Sequence, residues 1–285
     1  MRQAVLITAY HDYPQLVRLV DYFDSDFEVF IHLDRRSSQL PDGMFSRPNV
    51  HIYRHYRVYW GSVNHLRAIL LLMRQALGHG ELEYFHLVTG NDYPIPPLSE
   101  FKSFCESHRH ENYLEYFKLP RPGWDGDGGL DRVNYFWPQR WLRPGESQLG
   151  YRLTALAVKL QRKLGLRRRF DFFDGCFYGG GTYWSVSREA VEYALSFLQA
   201  NPGYLRRFRG TKIAEEIGLP TLWANSGLPL TNNSLRYIEW GPGASPHVLT
   251  EHDYEKIVNS GCLFTRKMTS THSMGLLNRI KAHHE

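Results

Sequence analysis

Cysteine is scarce in this chain: three among 285 residues, Cys105, Cys176 and Cys262, an odd number with no CxxC spacing. That argues against a disulfide framework and against a zinc site, and makes a reducing, cytoplasmic setting the expectation. Long hydrophobic runs are lacking too. The longest aliphatic or Met stretch, Ala68 to Met73, is far short of the roughly 18 residues that span a bilayer. The apolar stretch after Met1-Arg2-Gln3 is too short for a signal peptide, so the mature chain is expected to start here. An excess of one charge is also missing. With 34 Lys+Arg against 29 Asp+Glu the net charge is +5, and the one dense basic cluster, Arg167-Arg168-Arg169, is too short to suggest a nucleic-acid partner. The chain contains no GxGxxG, no GxxxxGK[ST], no HExxH and no GxSxG, which removes the motif-borne dinucleotide, P-loop, zincin and α/β-hydrolase readings. What is present is 42% hydrophobic and 14% aromatic residues, enough for a sizeable core and for one large domain.

The pattern along the chain is that of an α/β protein. Residues 4–8 suit a buried strand, Tyr13 to Tyr22 places Leu16, Val17, Leu19 and Val20 on one helical face, and Phe27 to Leu33 returns as a second strand. Ser62 is placed to cap a helix in which Val63, Leu66, Leu70, Met73 and Leu77 recur, closed by Gly78. Tyr84 to Val88 is the next strand, and the turn-rich Thr89-Gly90-Asn91-Asp92-Tyr93-Pro94 lies at its carboxyl end, where open α/β sheets place ligands. Asp34, ending the second strand before Arg35-Arg36, offers a carboxylate suited to a ribose or uracil, although an Asp there also forms turns.

From Pro120 to about Asp174 the alternation breaks. Asp125-Gly126-Asp127 has the spacing of a metal-holding DxD pair, but it is embedded in a glycine loop rather than at a strand end, and a solvated turn is the simpler reading. Tyr151 to Arg169 reads as a helix carrying Arg152, Lys159, Arg162 and Lys163 beside Leu153, Leu156, Leu160 and Leu164. A surface helix packed on the body and a contact with an anionic membrane both fit that pattern. Regular structure resumes at Phe177 to Ser187, with a helix from Arg188 to Leu198.

Taken in order, Leu6 to His11, Ile31 to Arg35, Val58-Tyr59-Trp60-Gly61-Ser62, Leu87 to Pro94, Gly181 to Arg188, Glu215-Glu216-Ile217, Arg236 to Trp240 and Leu263 to Lys267 resemble the signatures of the core-2 and I-branching glycosyltransferases. That family (glycosyltransferase family 14) includes branching N-acetylglucosaminyltransferases, peptide xylosyltransferases and many bacterial members. The resemblance runs from about residue 4 to 268.

The resemblance implies a glycosyltransferase A fold, Rossmann-like in its nucleotide-binding half: about 1–118 for nucleotide, an inserted acceptor-side excursion over 119–175, an acceptor and catalytic half over 176–268, and a tail over 269–285. It implies an inverting reaction with a UDP-sugar donor, no cofactor and no metal. Glu216 is similar to the catalytic base, Lys267 to the cation on the diphosphate, and Asp34 to the nucleoside contact, with Thr8, Tyr10, Asp92 and Arg266 completing the donor side. Glu115, Trp184 and Trp240 resemble acceptor-side residues. A second diphosphate arginine of the animal enzymes falls near Ala244, so Arg266 or His247 has to compensate. The expected donor is UDP-N-acetylglucosamine, with UDP-xylose or a non-catalytic glycan-binding role as alternatives. The expected acceptor is a glycan or lipid-linked oligosaccharide in bacterial surface polysaccharide synthesis. The expected location is cytoplasmic or peripheral on the inner face of the membrane.

Overall fold

In the first strand, β1 (Gln3–Ala9), Ala4 and Leu6 enter one apolar core while Val5, Ile7 and Ala9 enter another. This two-residue alternation is what a strand in the middle of a sheet requires when both faces are covered. The structure, a computed structural model, describes the chain apart from residues 42, 242–244 and 285. Beside β1 lie β2 (Phe27–Leu33) and then β3 (Val50–Tyr53) on one side, and β4 (Tyr84–Thr89) on the other, all parallel. Parallel strands need crossovers. Helix Tyr13–Asp21 joins β1 to β2, and helix Val63–Leu77 joins β3 to β4.

The remaining strands are short: β5 (Asp92–Pro94), β6 (Asn112–Leu114), β7 (Phe117–Lys118), β8 (Tyr178–Gly179), β9 (Trp184–Ser187), β10 (Leu230–Asn232), β11 (Arg236–Ile238) and β12 (Phe264–Arg266). Among the described residues the central sheet has seven strands in the order β10-β6-β9-β4-β1-β2-β3, with β9 antiparallel to both neighbours. A second sheet runs β11-β12-β5, and β7 pairs with β8.

Several expectations shift in detail. Ser62 precedes the helix at 63–77, but its hydroxyl makes no cap bond and is buried without a partner. The basic helix spans Gln148–Lys163, capped by Ser147 Oγ accepting from Gly150 N–H (3.0 Å), so residues 164–169 lie beyond it. The 269–285 tail holds a helix, Met274–His284, whose Leu276, Leu277 and Ile280 are buried with Tyr93, Ile95 and Leu249. Cys105, Cys176 and Cys262 are all free thiols. No helix is long and apolar enough to cross a membrane among the described residues.

One buried charge ties the two sheets together. Arg236, on β11, donates to Leu87 O (3.1 Å), Trp184 O (2.9 Å) and Ser185 Oγ (2.9 Å) of the central sheet. Burial lowers its pKa to about 10, with Asp92 opposing. Ser185 Oγ also meets His86 Nδ1 (2.8 Å), whose Nε2 reaches Gln3 Oε1 (2.9 Å), so a polar line crosses three strands. Arg236→Met takes a donor away from the carbonyls of Leu87 and Trp184 in the dry interior, at about 1–3 kcal/mol for each group left unsatisfied before relaxation. A loss of about 3 kcal/mol in urea unfolding is expected; a change below about 1 kcal/mol refutes the role.

Candidate active site

The carboxyl ends of β1, β2 and β4 bring together residues far apart in sequence, where an open α/β sheet places its ligand. Thr8, near the end of β1, hydrogen-bonds His65 Nε2 (3.1 Å), and His65 Nδ1 meets Glu215 Oε1 (2.8 Å). The ionised carboxylate can only accept, so His65 donates from Nδ1, and in the neutral imidazole Nε2 is then left to accept from the Thr8 hydroxyl. Glu215 is thereby assigned to holding His65, although its Oε2 is buried without a partner.

Glu216 points elsewhere. It stands in the first turn of helix Glu215–Ala224, and its Oε2 accepts from Arg132 Nη1 at 2.7 Å. The side chain is 26% exposed, yet protein surrounds it closely enough for desolvation to push its pKa up from 4.5 to about 7. Arg132 works against that rise, while Glu215 and Glu115 add to it. A carboxyl that titrates near neutrality is suited to general-base work.

Arg132 owes its position to the glycine loop. Its guanidinium lies 3.9 Å over the Trp124 ring, and the indole is enclosed between Gly129 and Gly179. A Cβ would come within 2.2 Å of the ring at Gly129 and 2.5 Å at Gly179, and Gly129 has φ +92°, so glycine is needed on both counts. Asp125, the first half of the DxD pattern, forms an ion pair with Lys212 (2.8 Å). Among the described residues, the His, Cys, Asp and Glu side chains spaced to share a cation are Glu28, His51 and His79. That group lies at the opposite end of β2, and Glu28 is also paired with Arg2 (2.6 Å).

On the other side of the site, β12 delivers Arg266 and the chain continues to Lys267. Arg266 Nη1 donates to Asp92 Oδ1 (2.8 Å) and to Thr89 Oγ1, and its guanidinium lies 5.2 Å from the centre of the Tyr183 ring. Burial opposes the charge, but Tyr183, Asp92 and Tyr10 outweigh it and hold the pKa above its ordinary value. Its Nε is buried with no partner, an unmet donor. Asp92 is fully buried and also accepts from Thr89 N–H (2.8 Å), so it positions Arg266. Lys267 has no carboxylate partner among the described residues. His11 has its pKa lowered by burial, with Lys267 and Arg266 adding and Asp12 opposing. Tyr10 is exposed and stacks on His11, with ring centres 3.9 Å apart.

Asp34 sits at the expected strand end, but its carboxylate is saturated by its own surroundings. It accepts from Arg36 N–H (2.9 Å) and Val58 N–H (3.2 Å), and from the Arg36 side chain at 3.2 and 3.1 Å. Its role is to fix Arg36, which also pairs with Glu146. Glu115 is exposed, 3.5 Å from Arg121. Its backbone lies beside that of Glu216: Gly180 N–H donates to Glu216 O (2.9 Å), and a Cβ on Gly180 would meet Glu115 O at 1.9 Å. Trp240 is exposed beside the second sheet, and the exposed His247 meets Lys267 through its backbone carbonyl (3.4 Å). Ala244 lies outside the described residues.

Trp184 requires correction. It is 2% exposed and packs edge-on against Trp223, inside the core rather than on an acceptor-facing wall. Its neighbour Tyr183, just ahead of β9, lies on the site side instead, under Arg266 and within reach of the charges of Asp92 and Glu216. Sequence reasoning missed Tyr183, His65 and Arg132. For Tyr183 the signal was present in the same motif; for the other two, nothing local marks them.

The family model described as Core-2/I-Branching enzyme matches residues 4–260, and the chain belongs to that family. That places it in a family of glycosyltransferases, and its mixed α/β architecture with a parallel-rich central sheet is consistent with the glycosyltransferase A fold that the sequence led us to expect. No curated protein matches the sequence. Among solved structures, TarS of S. aureus is 17% identical over 40% of this chain, which spans 21% of that chain, with a TM-score of 0.31. A TarS structure of residues 1–349 is 14% identical, covering 79% of this chain and 73% of that one, also at 0.31. A structure described as a glucose-1-phosphate thymidylyltransferase from Bacillus anthracis is 9% identical and covers 100% and 96%, at 0.38. These are weak likenesses, and the reading of the site rests on its own geometry.

Because Glu216 has a raised pKa, the folded chain holds a proton that the unfolded chain releases between about pH 4.5 and 7. Its contribution to stability is thus complete below about 4.5 and is lost as pH rises through 7. Glu216→Gln should flatten stability against pH in that window, measured by urea unfolding at several pH values. Arg132→Met removes the counter-charge, so the acidic limb of the activity profile should move to higher pH. An unmoved limb rules out the pair as the control.

Proposed function

We propose that the chain transfers a sugar from a UDP donor to a glycan hydroxyl with inversion and without a metal. The observation that carries this reading is the pairing of a near-neutral carboxyl, Glu216, with a cationic corner made by Arg266 and Lys267. In such a transfer the acceptor hydroxyl gives its proton to Glu216 as its oxygen bonds to the anomeric carbon. The bond from that carbon to the diphosphate oxygen breaks on the opposite face, and the electron pair leaves with UDP. General-base help of this kind is typically worth about 10²–10⁴-fold. Negative charge gathers on the departing diphosphate, where fixed cations and unmet donors stabilise it. Lys267 and the free Nε of Arg266 supply these, while Asp92 and Thr89 fix the guanidinium.

Thr8, Tyr10 and Asp34 belong to the donor side in this reading, Asp34 acting through Arg36. Glu115 and Trp240 belong to the acceptor side. UDP-N-acetylglucosamine is the first donor to test and UDP-xylose the second.

Glu216→Gln keeps the shape but cannot take the proton, so turnover should fall by at least about 10²-fold with UDP-sugar affinity nearly unchanged. Near-normal turnover in this variant, with Glu215→Gln inactive, moves the base to the neighbour. EDTA should leave UDP release unchanged. Inhibition by EDTA that Mn²⁺ reverses would overturn the metal-free mechanism and return attention to Asp125 and Asp127.

A further inference from the structure

Helix Gln148–Lys163 turns leucines outward. Its buried residues are Gly150, Thr154 and Val158, which face the body. Leu149, Leu153, Leu156 and Leu160, with Leu164 at its end, are between 41% and 67% exposed. At about 100° per residue they fall within an arc of about 80°. Single exposed leucines are ordinary, but a contiguous stripe is a surface waiting for a partner.

Exposed Arg152, Lys159 and Lys163 border the same stripe, and none pairs with a carboxylate among the described residues. No Asp or Glu occurs between residues 147 and 170. Exposed Arg167 and Arg169 follow, whereas Arg168 is turned inward and donates to Gly210 O (3.0 Å) and Thr211 Oγ1 (3.2 Å). A second copy of this face would set cation against cation with nothing to neutralise them, whereas an anionic lipid surface matches both the leucines and the charge.

We infer that this helix docks the enzyme on an anionic bilayer, the leucines entering the acyl boundary and Arg152, Lys159 and Lys163 meeting headgroups. The helix is also anchored to the site. Glu146, just ahead of it, pairs with Arg36, which Asp34 holds, and Arg162 pairs with Asp131, next to the Arg132 that faces Glu216. Docking therefore fixes how the catalytic cleft is presented to an acceptor carried in the membrane.

The test is flotation of the full chain with vesicles of phosphatidylglycerol and phosphatidylcholine, against phosphatidylcholine alone. Binding to the anionic vesicles at low salt, weakening as salt rises, is expected. Leu149→Ser with Leu156→Ser and Leu160→Ser should weaken it at least about tenfold. Arg152→Ala with Lys159→Ala and Lys163→Ala should weaken it by about a hundredfold at low salt, taking three cations near an anionic leaflet. Both variants should keep UDP release with a soluble acceptor. The proposal is overturned if the wild-type chain stays in the soluble fraction with anionic vesicles, or if the serine variant floats like wild type. It is equally overturned if the stripe proves to hold a dimer in sedimentation that the serine variant dissolves. Flotation reads binding without turnover, so its failure is distinct from a failure of the transferase reading.

Discussion

A guanidinium removed from water is tolerable only where its donors find fixed acceptors, and Arg236 meets that condition by reaching from one sheet into another. The site is divided along the same seam. Thr8, His65 and Glu216 belong to the central sheet and its helices, while Arg266 and Lys267 arrive on the strand beside Arg236. Any sliding of the small sheet over the large one would move Arg266 and Lys267 relative to Glu216. The buried carbonyls that Arg236 satisfies make that sliding costly, so the spacing between Arg266 and Glu216 is held by a residue that stands outside the cluster itself.

Regular apolar spacing made the first half of the chain legible in the sequence. The second strand was placed at its observed boundaries, and the helix at 63–77 followed from its three- and four-residue spacing. Short elements were harder to read. Strand β3 has half-buried and exposed side chains and carries little pattern, and β10, β11 and β12 are three residues each, too brief for a period to show. The terminal helix was hidden for another reason: it buries Leu276, Leu277 and Ile280 against residues such as Tyr93 and Leu249 that are distant in sequence.

Within the site, motif order located the right segments but not always the right side chain. Gly181-Thr182-Tyr183-Trp184 is such a case, since a one-residue choice decides which aromatic meets Arg266 and which meets Trp223. Asp34 and Asp92 were expected on the donor side of the site; what their positions in the sequence did not reveal is that both carboxylates orient arginines. The glycine loop at 125–129 looked like a turn because glycine and aspartate are turn formers. Its use as half of a cradle for Trp124, and through that ring for Arg132, depends on Gly179, some fifty positions on, and no local pattern could reveal it.

The polar line from Gln3 through His86 and Ser185 to Arg236 also works as a key for strand alignment. If Gln3 Oε1 accepts from His86 Nε2, then Nδ1 must accept from the Ser185 hydroxyl, whose oxygen receives Arg236 Nη1, so every hydrogen in the line has one direction. Burial holds the imidazole well below its ordinary pKa, so protonation cannot rescue a mismatch. Were β9 to slip by one residue along β4, Trp184 or Val186 would stand where Ser185 faces His86. Apolar packing alone tolerates such an error more readily than a directional chain of hydrogen bonds does. The antiparallel strand inserted among parallel ones is thus registered by four side chains that have no part in the chemistry.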